Sequence, residues 1–185
     1  MVPVMSLWAP ILVAAVLVFV ASSIIHMALR YHSGDYKKLP SEDAVMEALR
    51  RFELPPGLYI MPHAAGPKEM KSPEYVEKRK RGPIAFLNIM KDSSMGASLA
   101  QWFAYCVVVG IFAAYVTGRA LGPGAEYLEV FRFAGATAFV GYTLALWQDA
   151  IWFRTGWLAT SKSTFDGLVY GLLTAGAFGW LWPNG

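Results

Sequence analysis

Long apolar stretches alternate with one long polar stretch along this chain. The first apolar stretch, Leu7 to Leu29, holds no formally charged side chain. As a helix rising about 1.5 Å per residue it would be about 34 Å long. The hydrocarbon core of a bilayer is about 30 Å thick. The pattern therefore predicts a first transmembrane helix within residues 1–29.

A cleaved secretory signal is the alternative reading of this stretch. Such signals have a positively charged start, an apolar core of about 7 to 15 residues and small residues at the cleavage site. The first six residues contain no Lys or Arg, and the apolar stretch is longer than that core, although Ala21, Ser22 and Ser23 resemble a cleavage site. We therefore expect an uncleaved membrane anchor.

Three further apolar stretches follow in the second half of the chain, at about residues 99–117, 130–150 and 164–182. Each is long enough to cross a bilayer as a helix. The connections between them are short enough to make neighbouring spans antiparallel. The sequence predicts an all-α membrane protein with four transmembrane helices, the last three of which form a region at residues 95–185.

The polar segment, residues 30–94, is the only part expected to fold in water. Ser41 followed by Glu42 and Asp43 is typical of a helix N-terminus, where a side-chain cap and the helix dipole favour these residues. Apolar residues then recur at helical spacing until the proline pair that begins at Pro55. We expect a short amphipathic helix here.

Two short apolar runs follow it, Leu58 to Met61 and Ile84 to Ile89, each bounded by Pro or Gly. They fit two short strands, and interfacial coil is the alternative. Residues 64–81 between them are rich in Lys, Glu, Pro and Gly, which is typical of a mobile excursion.

Composition supports a membrane protein. Of the 185 residues 56% are hydrophobic and 16% are charged, whereas a soluble domain carries about 25% charged residues. The net charge of +3 is not concentrated in a basic stripe, because twelve of the sixteen Lys and Arg lie at residues 30–94 together with nine acids. We therefore expect membrane lipids as partners, and no nucleic acid.

The distribution of basic residues also predicts an orientation. Cytoplasmic loops carry an excess of Lys and Arg, so the segment 30–94 is expected in the cytoplasm of an inner membrane, with both termini extracytoplasmic. Part of that excess is the basic run Lys78, Arg79, Lys80 and Arg81. Contact of this run with anionic lipid headgroups is the functional reading, and a solvated charge run is the alternative.

Small residues recur every four positions in the last span. Gly167, Gly171, Ala175 and Gly179 share one helix face, and we call them the small-residue row. Small residues let two helix backbones approach closely in lipid. The row therefore predicts packing inside the bundle, and a dimer interface or a seat for a partner's helix is the sharper alternative.

Ionisable residues near lipid are candidates for ligand, proton or partner roles. Asp149 and its neighbour Gln148 lie where the third span ends. Asp166 is expected to cap the start of the last helix. Arg132 is expected to snorkel to the interface or to pair with Glu129.

Metal and cofactor chemistry receive little support from the sequence. His26, His32 and His63 are few and widely spaced, and Cys106 is the only cysteine. The chain has no phosphate-binding loop, nucleophile elbow or zinc motif. We expect no metal, no cofactor and no catalytic residue.

Four stretches resemble a family of uncharacterised bacterial integral membrane proteins of this size. They are SSIIHMALRYHSGDYKKLPSEDAVMEALR, GASLAQWFAYCVVVG, ALWQDAIW and DGLVYGLLTAGAFGWLWP. The resemblance implies a bacterial inner-membrane location and no particular chemistry.

The sequence therefore favours an accessory or interaction subunit, with another membrane protein or a second copy of the chain as its partner. A transporter or channel component is the alternative, although charges at mid-membrane, where transport sites usually lie, are scarce. A membrane enzyme acting on lipid is the third class, and it would need a polar constellation at headgroup level.

Overall fold

The structure is a computed structural model that describes residues 1–185, and it is mostly helical. Internal contacts divide the chain into a helical unit, Met1–Tyr36 with Ser94–Gly185, and a polar unit, Lys37–Ser93. In chain order the elements are α1 (Trp8–Ser23), α2 (Glu42–Arg50), β1 (Gly57–Met61), α3 (Pro67–Met70), α4 (Pro73–Arg81), β2 (Ala85–Ile89), α5 (Met95–Ala120), α6 (Tyr127–Trp152) and α7 (Trp157–Trp180).

The first predicted span is a composite helix. A 3₁₀ turn, Val4–Leu7, leads into α1, and one π-helical turn, Ile24–Ala28, follows it. Together they match the predicted stretch to within three residues at each end. Because apolar side chains surround α1 on all sides, the helix suits an environment that is apolar everywhere.

Hydrogen bonds between distant residues show how the helical unit is threaded. At one end the Val2 N–H donates to Gly118 O at 2.7 Å, and the Gly124 N–H donates to Pro183 O at 2.8 Å. The start of the first helix, the end of α5 and the end of α7 therefore lie together. The long helices consequently alternate in direction, as the short connections lead one to expect.

The small-residue row packs against α6. A Cβ atom added to Gly171 would lie 3.2 Å from Gly135 O and 3.3 Å from Phe139 Cβ. One added to Gly167 would overlap Thr143 Cγ2, and one added to Gly179 would lie 2.6 Å from the Tyr127 ring. The two backbones approach closely because these positions carry no side chain.

Three helical segments are long and apolar enough to cross a membrane: Val4–Ala28, Met95–Ala120 and Tyr127–Trp152. This confirms a helical chain with membrane-spanning character. The fourth predicted span, at residues 164–182, is not among the three, and its crossing stays a prediction. Polar residues such as Lys162 and Asp166 lower the apolar character of α7.

The predicted start of the last helix is wrong. α7 begins at Trp157, so Asp166 lies more than two turns inside the helix and does not cap it. The residues before it are polar, yet none of them breaks a helix. The hydroxyls of Thr160 and Thr164 donate to carbonyls four residues earlier, at 3.0 and 2.8 Å, so these side chains are satisfied within the helix.

The polar unit contains the amphipathic helix and the two strands that the sequence predicts. α2 ends at Arg50, before the prolines. β1 and β2 form an antiparallel pair in which Gly57 faces Ile89 and Met61 faces Ala85. The two short strands are therefore confirmed, and interfacial coil is wrong for this segment.

The expectation of a mobile excursion at residues 64–81 is also wrong, because α3 and α4 occupy most of it. α4 has the signals of a stable helix start: the Ser72 side chain accepts the Tyr75 N–H at 3.2 Å, and Pro73 and Glu74 follow. Its last turn carries the basic run from Lys78 to Arg81, and the helix dipole favours cations at this end of a helix. The overall composition of residues 64–81 does not reveal these helix signals, because they are properties of single positions.

Candidate functional site

One end of the helical unit holds a group of five ionisable side chains that we call the histidine–aspartate cluster: His26, His32, Asp35, Lys162 and Asp166. The first three follow one another where the chain leaves the first helix, and the other two lie on α7. No other part of the helical unit concentrates charge in this way. We therefore take the cluster as the candidate site.

The backbone after α1 places both histidines. His26 lies in the π-helical turn, a rare form that often occurs at functional sites. The chain then reverses at Arg30, whose φ is 52°, and two tight turns follow in which Ser33 N–H donates to Arg30 O and Asp35 N–H donates to His32 O. This path returns the His32 ring to His26, with 4.7 Å between the ring centroids.

His32 lies between two carboxylates. Its Nδ1 is 2.6 Å from Asp35 Oδ2, and its Nε2 is 2.8 Å from Asp166 Oδ2. A neutral imidazole carries only one N–H, and an ionised carboxylate only accepts. Both contacts therefore need a second proton, on the ring or on a carboxyl group, or another cation in its place.

Lys162 fixes the other side of Asp35. Its ammonium donates to Asp35 Oδ1 at 2.6 Å and to the Tyr31 carbonyl at 2.8 Å. These two hydrogen bonds tie α7 to the segment after α1. The bond from Lys162, and next the bond from His32, hold the pKa of Asp35 below its usual range.

Asp166 is the most buried member of the cluster, with 2% of its surface exposed. It lies four residues after Lys162, so the two side chains leave the same face of α7. Its Oδ2 contacts His32, whereas its Oδ1 is buried and has no hydrogen-bond partner. A buried carboxylate oxygen without a partner is costly and calls for a physical explanation.

Aromatic side chains lie next to the cluster on the side of the bundle interior. Tyr170, one turn after Asp166, is buried with its ring centroid 5.4 Å from that of Tyr142 and 6.0 Å from that of Trp102. These rings join α5, α6 and α7 in one layer. The charged groups therefore have an aromatic layer between them and the rest of the core.

A cavity of about 510 Å³ opens beside the cluster. His26, His32 and Asp35 line it, and Asp149 joins them from α6. The structure thus brings Asp149 to the same cavity as the cluster. Asp149 itself is exposed, so a ligand from solvent can reach the cavity on this side.

The remaining predicted candidates do not reach this site. Gln148 is exposed on α6 and does not line the cavity. Arg132 is exposed near the other end of α6, about 26 Å from Asp149 along the helix at about 1.5 Å per residue. It lines a groove beside Gly135 and Gly171. The four residues predicted as candidates, Asp149, Gln148, Asp166 and Arg132, therefore do not form a single site.

The basic run lies outside the helical unit, on the exposed last turn of α4. Glu74 Oε1 accepts from Lys78 Nζ at 2.7 Å, which lowers the pKa of Glu74 and raises that of Lys78. Arg79, Lys80 and Arg81 take part in no ion pair of this kind. Three cations of the run thus stay available, and their contact with lipid stays a prediction.

Most of this cluster is not evident from the sequence. The histidines are widely spaced along the chain, yet one ligand atom each of His26, His32 and Asp166 lies within 4.8 Å of the others. A signal was present: two crossings, an even number, separate the end of the first span from the start of the fourth. Polar residues at those two ends therefore share one side of the bundle.

No family model matches this sequence, and comparisons with curated proteins and with solved structures find no match. The resemblance to bacterial inner-membrane proteins stays a prediction for the same reason. Three helices able to cross a membrane indicate the class, a helical membrane protein.

Proposed function

We propose that the protein is a four-span protein of a bacterial inner membrane that acts as an accessory or interaction subunit, with its functional site at the histidine–aspartate cluster. The observation that carries this proposal is the position of that cluster. Four of its five ionisable groups are joined by hydrogen bonds at one end of the helical unit, and a cavity opens beside them.

The packing of α7 supports the fourth span. Near one end of α6, the Trp147 Nε1–H donates to Thr164 Oγ1 at 3.1 Å. Near the other end, Gly179 packs against Tyr127. α7 therefore follows α6 over almost its whole length, which supports a crossing of α7 beside α6. At about 1.5 Å per residue its 24 residues extend about 36 Å.

The bases favour one orientation. Twelve Lys and Arg lie at residues 30–91, in the segment that leaves and re-enters the bundle at the end that holds the cluster. Arg154 and Lys162 also lie at this end, whereas Arg119 and Arg132 lie at the opposite end. The positive-inside bias therefore assigns the cluster to the cytoplasmic side. Reporter fusions at Gly66 and Trp157 should be cytoplasmic, and fusions at Gly122 and after Gly185 extracytoplasmic. A secreted Gly66 fusion would reverse this assignment.

The middle of the bundle favours interaction over transport. Residues 4–25, 95–118, 133–148 and 167–180 contain no Asp, Glu, Lys, Arg or His. Substrate sites of secondary transporters usually lie near the bilayer midplane and include broken helices. Here the polar groups lie at one end of the bundle, and the long helices continue past the midplane. The aromatic layer lies between the polar groups and the rest of the core.

The test is purification from the native membrane in a mild detergent, followed by identification of what remains bound. A membrane protein in stoichiometric amount supports the accessory role. A lone homo-oligomer that makes liposomes leak would instead support the transporter or channel class. Conversion of an added lipid by the purified protein would support the enzyme class. Either of these two results contradicts the proposal.

A further inference from the structure

We propose that His26, His32 and Asp166 bind a divalent first-row transition-metal ion, such as Fe²⁺, Co²⁺ or Zn²⁺, at the end of the helical unit. Two imidazoles and one carboxylate are a donor set that such ions accept. Mg²⁺ and Ca²⁺ prefer sites made of oxygen alone. The nitrogen ligands therefore define the class of ion.

The distances already suit a metal centre. His32 Nε2 and Asp166 Oδ2 are 2.8 Å apart. For an ion about 2.05 Å from both atoms, the Nε2–ion–Oδ2 angle would be about 86°. Three protein ligands on one face of an octahedral ion subtend angles near 90°, as in sites with two histidines and one carboxylate. This pair of ligands thus needs little adjustment.

His26 supplies the third ligand. Its ligand atom and those of His32 and Asp166 lie within 4.8 Å of one another, so side-chain rotation of the exposed His26 ring closes the remaining gap. The ring contacts that of His32, and no hydrogen bond fixes it. His26 is therefore free to turn toward the ion.

A hydrogen-bonded carboxylate lies behind His32, as it does behind most histidines that bind metals. Asp35 Oδ2 accepts from the Nδ1 side of the ring, and Lys162 holds the other Asp35 oxygen. When Nδ1 carries the proton, Nε2 presents a lone pair toward Asp166. Two electron-pair donors then face each other at 2.8 Å, and a cation beside them removes their repulsion.

Asp166 supplies an independent observation. It is 2% exposed, its Oδ2 reaches the His32 nitrogen, and its Oδ1 is buried without a hydrogen-bond donor. Two carboxylates and one ammonium give the cluster a formal charge of −1 when both imidazoles are neutral. A divalent ion compensates this charge and can also bind the second oxygen.

The cavity gives the ion a route in and room for further ligands. His26 and His32 line it together with Asp149. Three protein ligands leave coordination positions for water or for a small anionic ligand, as in metal sites that keep an open position. The cavity beside the ligands supplies the space that such further ligands need.

The experiment uses the full chain in detergent without a polyhistidine tag, stripped of metal with EDTA. Titration with Co²⁺ should give a visible ligand-field spectrum that saturates at one ion per chain. Zn²⁺ should displace the cobalt, and a large excess of Mg²⁺ should not. A chain that binds no stoichiometric Co²⁺ contains a proton between His32 and Asp166 instead, and that result overturns the proposal.

Two histidine variants locate the site. His26→Ala should weaken Co²⁺ binding by at least the roughly 10- to 100-fold that loss of a supporting residue costs at metal sites. Because His26 is exposed and makes no ring hydrogen bond, this variant should stay folded. His63→Ala, which changes the histidine of the polar unit, should bind as the unmodified chain does. Equal binding by both variants would overturn the assignment.

Metal binding is measured on the purified chain alone, so it does not depend on the accessory role. Failure of the cobalt titration leaves the co-purification experiment unaffected. A missing partner protein likewise leaves a cobalt spectrum intact. The accessory role and the metal site are therefore tested independently of each other.

Discussion

The helical unit and the polar unit differ sharply in what they bury. The helical unit has many fully buried side chains, among them Phe178, Leu7 and Val18. In the polar unit only Tyr75 is buried, whereas Phe52 and Leu58 are 71% and 78% exposed. One unit is held together by packing between distant helices. The other is built from a hairpin, helix caps and neighbouring charges.

This difference separates two meanings of an exposed apolar side chain. On helices that cross a bilayer, apolar side chains on the outside contact hydrocarbon and need no protein partner. In the polar unit the same exposure is costly in water. The polar unit is therefore expected to depend on local interactions for its stability, and the helical unit on close packing.

The largest effect is expected from opening the core of the helical unit. Phe178 has 0% exposure and packs in the cluster that contains Val130 and Ala134. Phe178→Ala should lower the free energy of unfolding by about 3–5 kcal/mol, because a cavity replaces the ring. Thermal unfolding in detergent measures the loss.

The matched change in the polar unit is Phe52→Ala. Phe52 is 71% exposed, so this variant should differ from the original by less than about 0.5 kcal/mol. Equal losses for the Phe178 and Phe52 variants would show that the contrast in burial between the units does not hold.

The next effect comes from filling the contact between α6 and α7. Gly171→Leu places a branched side chain where Cβ alone would lie 3.2 Å from Gly135 O. Overpacking should cost about 1–3 kcal/mol, seen as a lower melting temperature. Gly176→Leu is the control on the same helix, since the nearest atom to its Cβ would be 3.9 Å away. An unchanged melting temperature for Gly171→Leu would contradict close packing of the small-residue row.

A smaller effect should follow from removing a cap in the polar unit. Ser72→Ala deletes the side chain that accepts the Tyr75 N–H, which should destabilise α4 by about 1 kcal/mol. Ser41 holds the same position before α2, but its side chain makes no capping bond, so Ser41→Ala should leave α2 unchanged. Amide hydrogen exchange of the first turns of α4 and α2 compares the two. Faster exchange in both variants would mean that Ser41 caps after all.

Most of the fold could be predicted because each long apolar stretch needs only length and composition to be recognised. The helix ends could not. Helices extend past the apolar part when the flanking residues tolerate helical geometry, as Trp157 to Ser163 do before the predicted start of α7. Composition also fails to predict α4, because the signals of this helix are single residues at its N-terminus and not an apolar face.

The candidate site was only partly predictable. Asp149 and Asp166 stand out because a charge near lipid is costly. His32 and Asp35 do not, because they lie in a polar segment where such residues are ordinary. Only the return of the chain after Arg30 and the pairing of helix ends bring them to Asp166. A contact between residues more than 130 positions apart is a property of the packed bundle.

The smallest effect on stability, and the sharpest test of the site, is expected for Asp149→Asn. Asp149 is exposed at the end of α6 and lines the cavity beside His26 and His32. Because water reaches this end of the helix, loss of the charge should change the free energy of unfolding by less than about 0.5 kcal/mol. Retention of the co-purified partner should nevertheless decrease, since the charge faces the proposed site. Glu129→Gln makes the same change at the exposed opposite end of α6, outside the cavity, and should keep both stability and partner. If the Asp149 variant retains its partner as fully as the Glu129 variant does, Asp149 belongs to the solvated helix end and the site ends at the histidine–aspartate cluster.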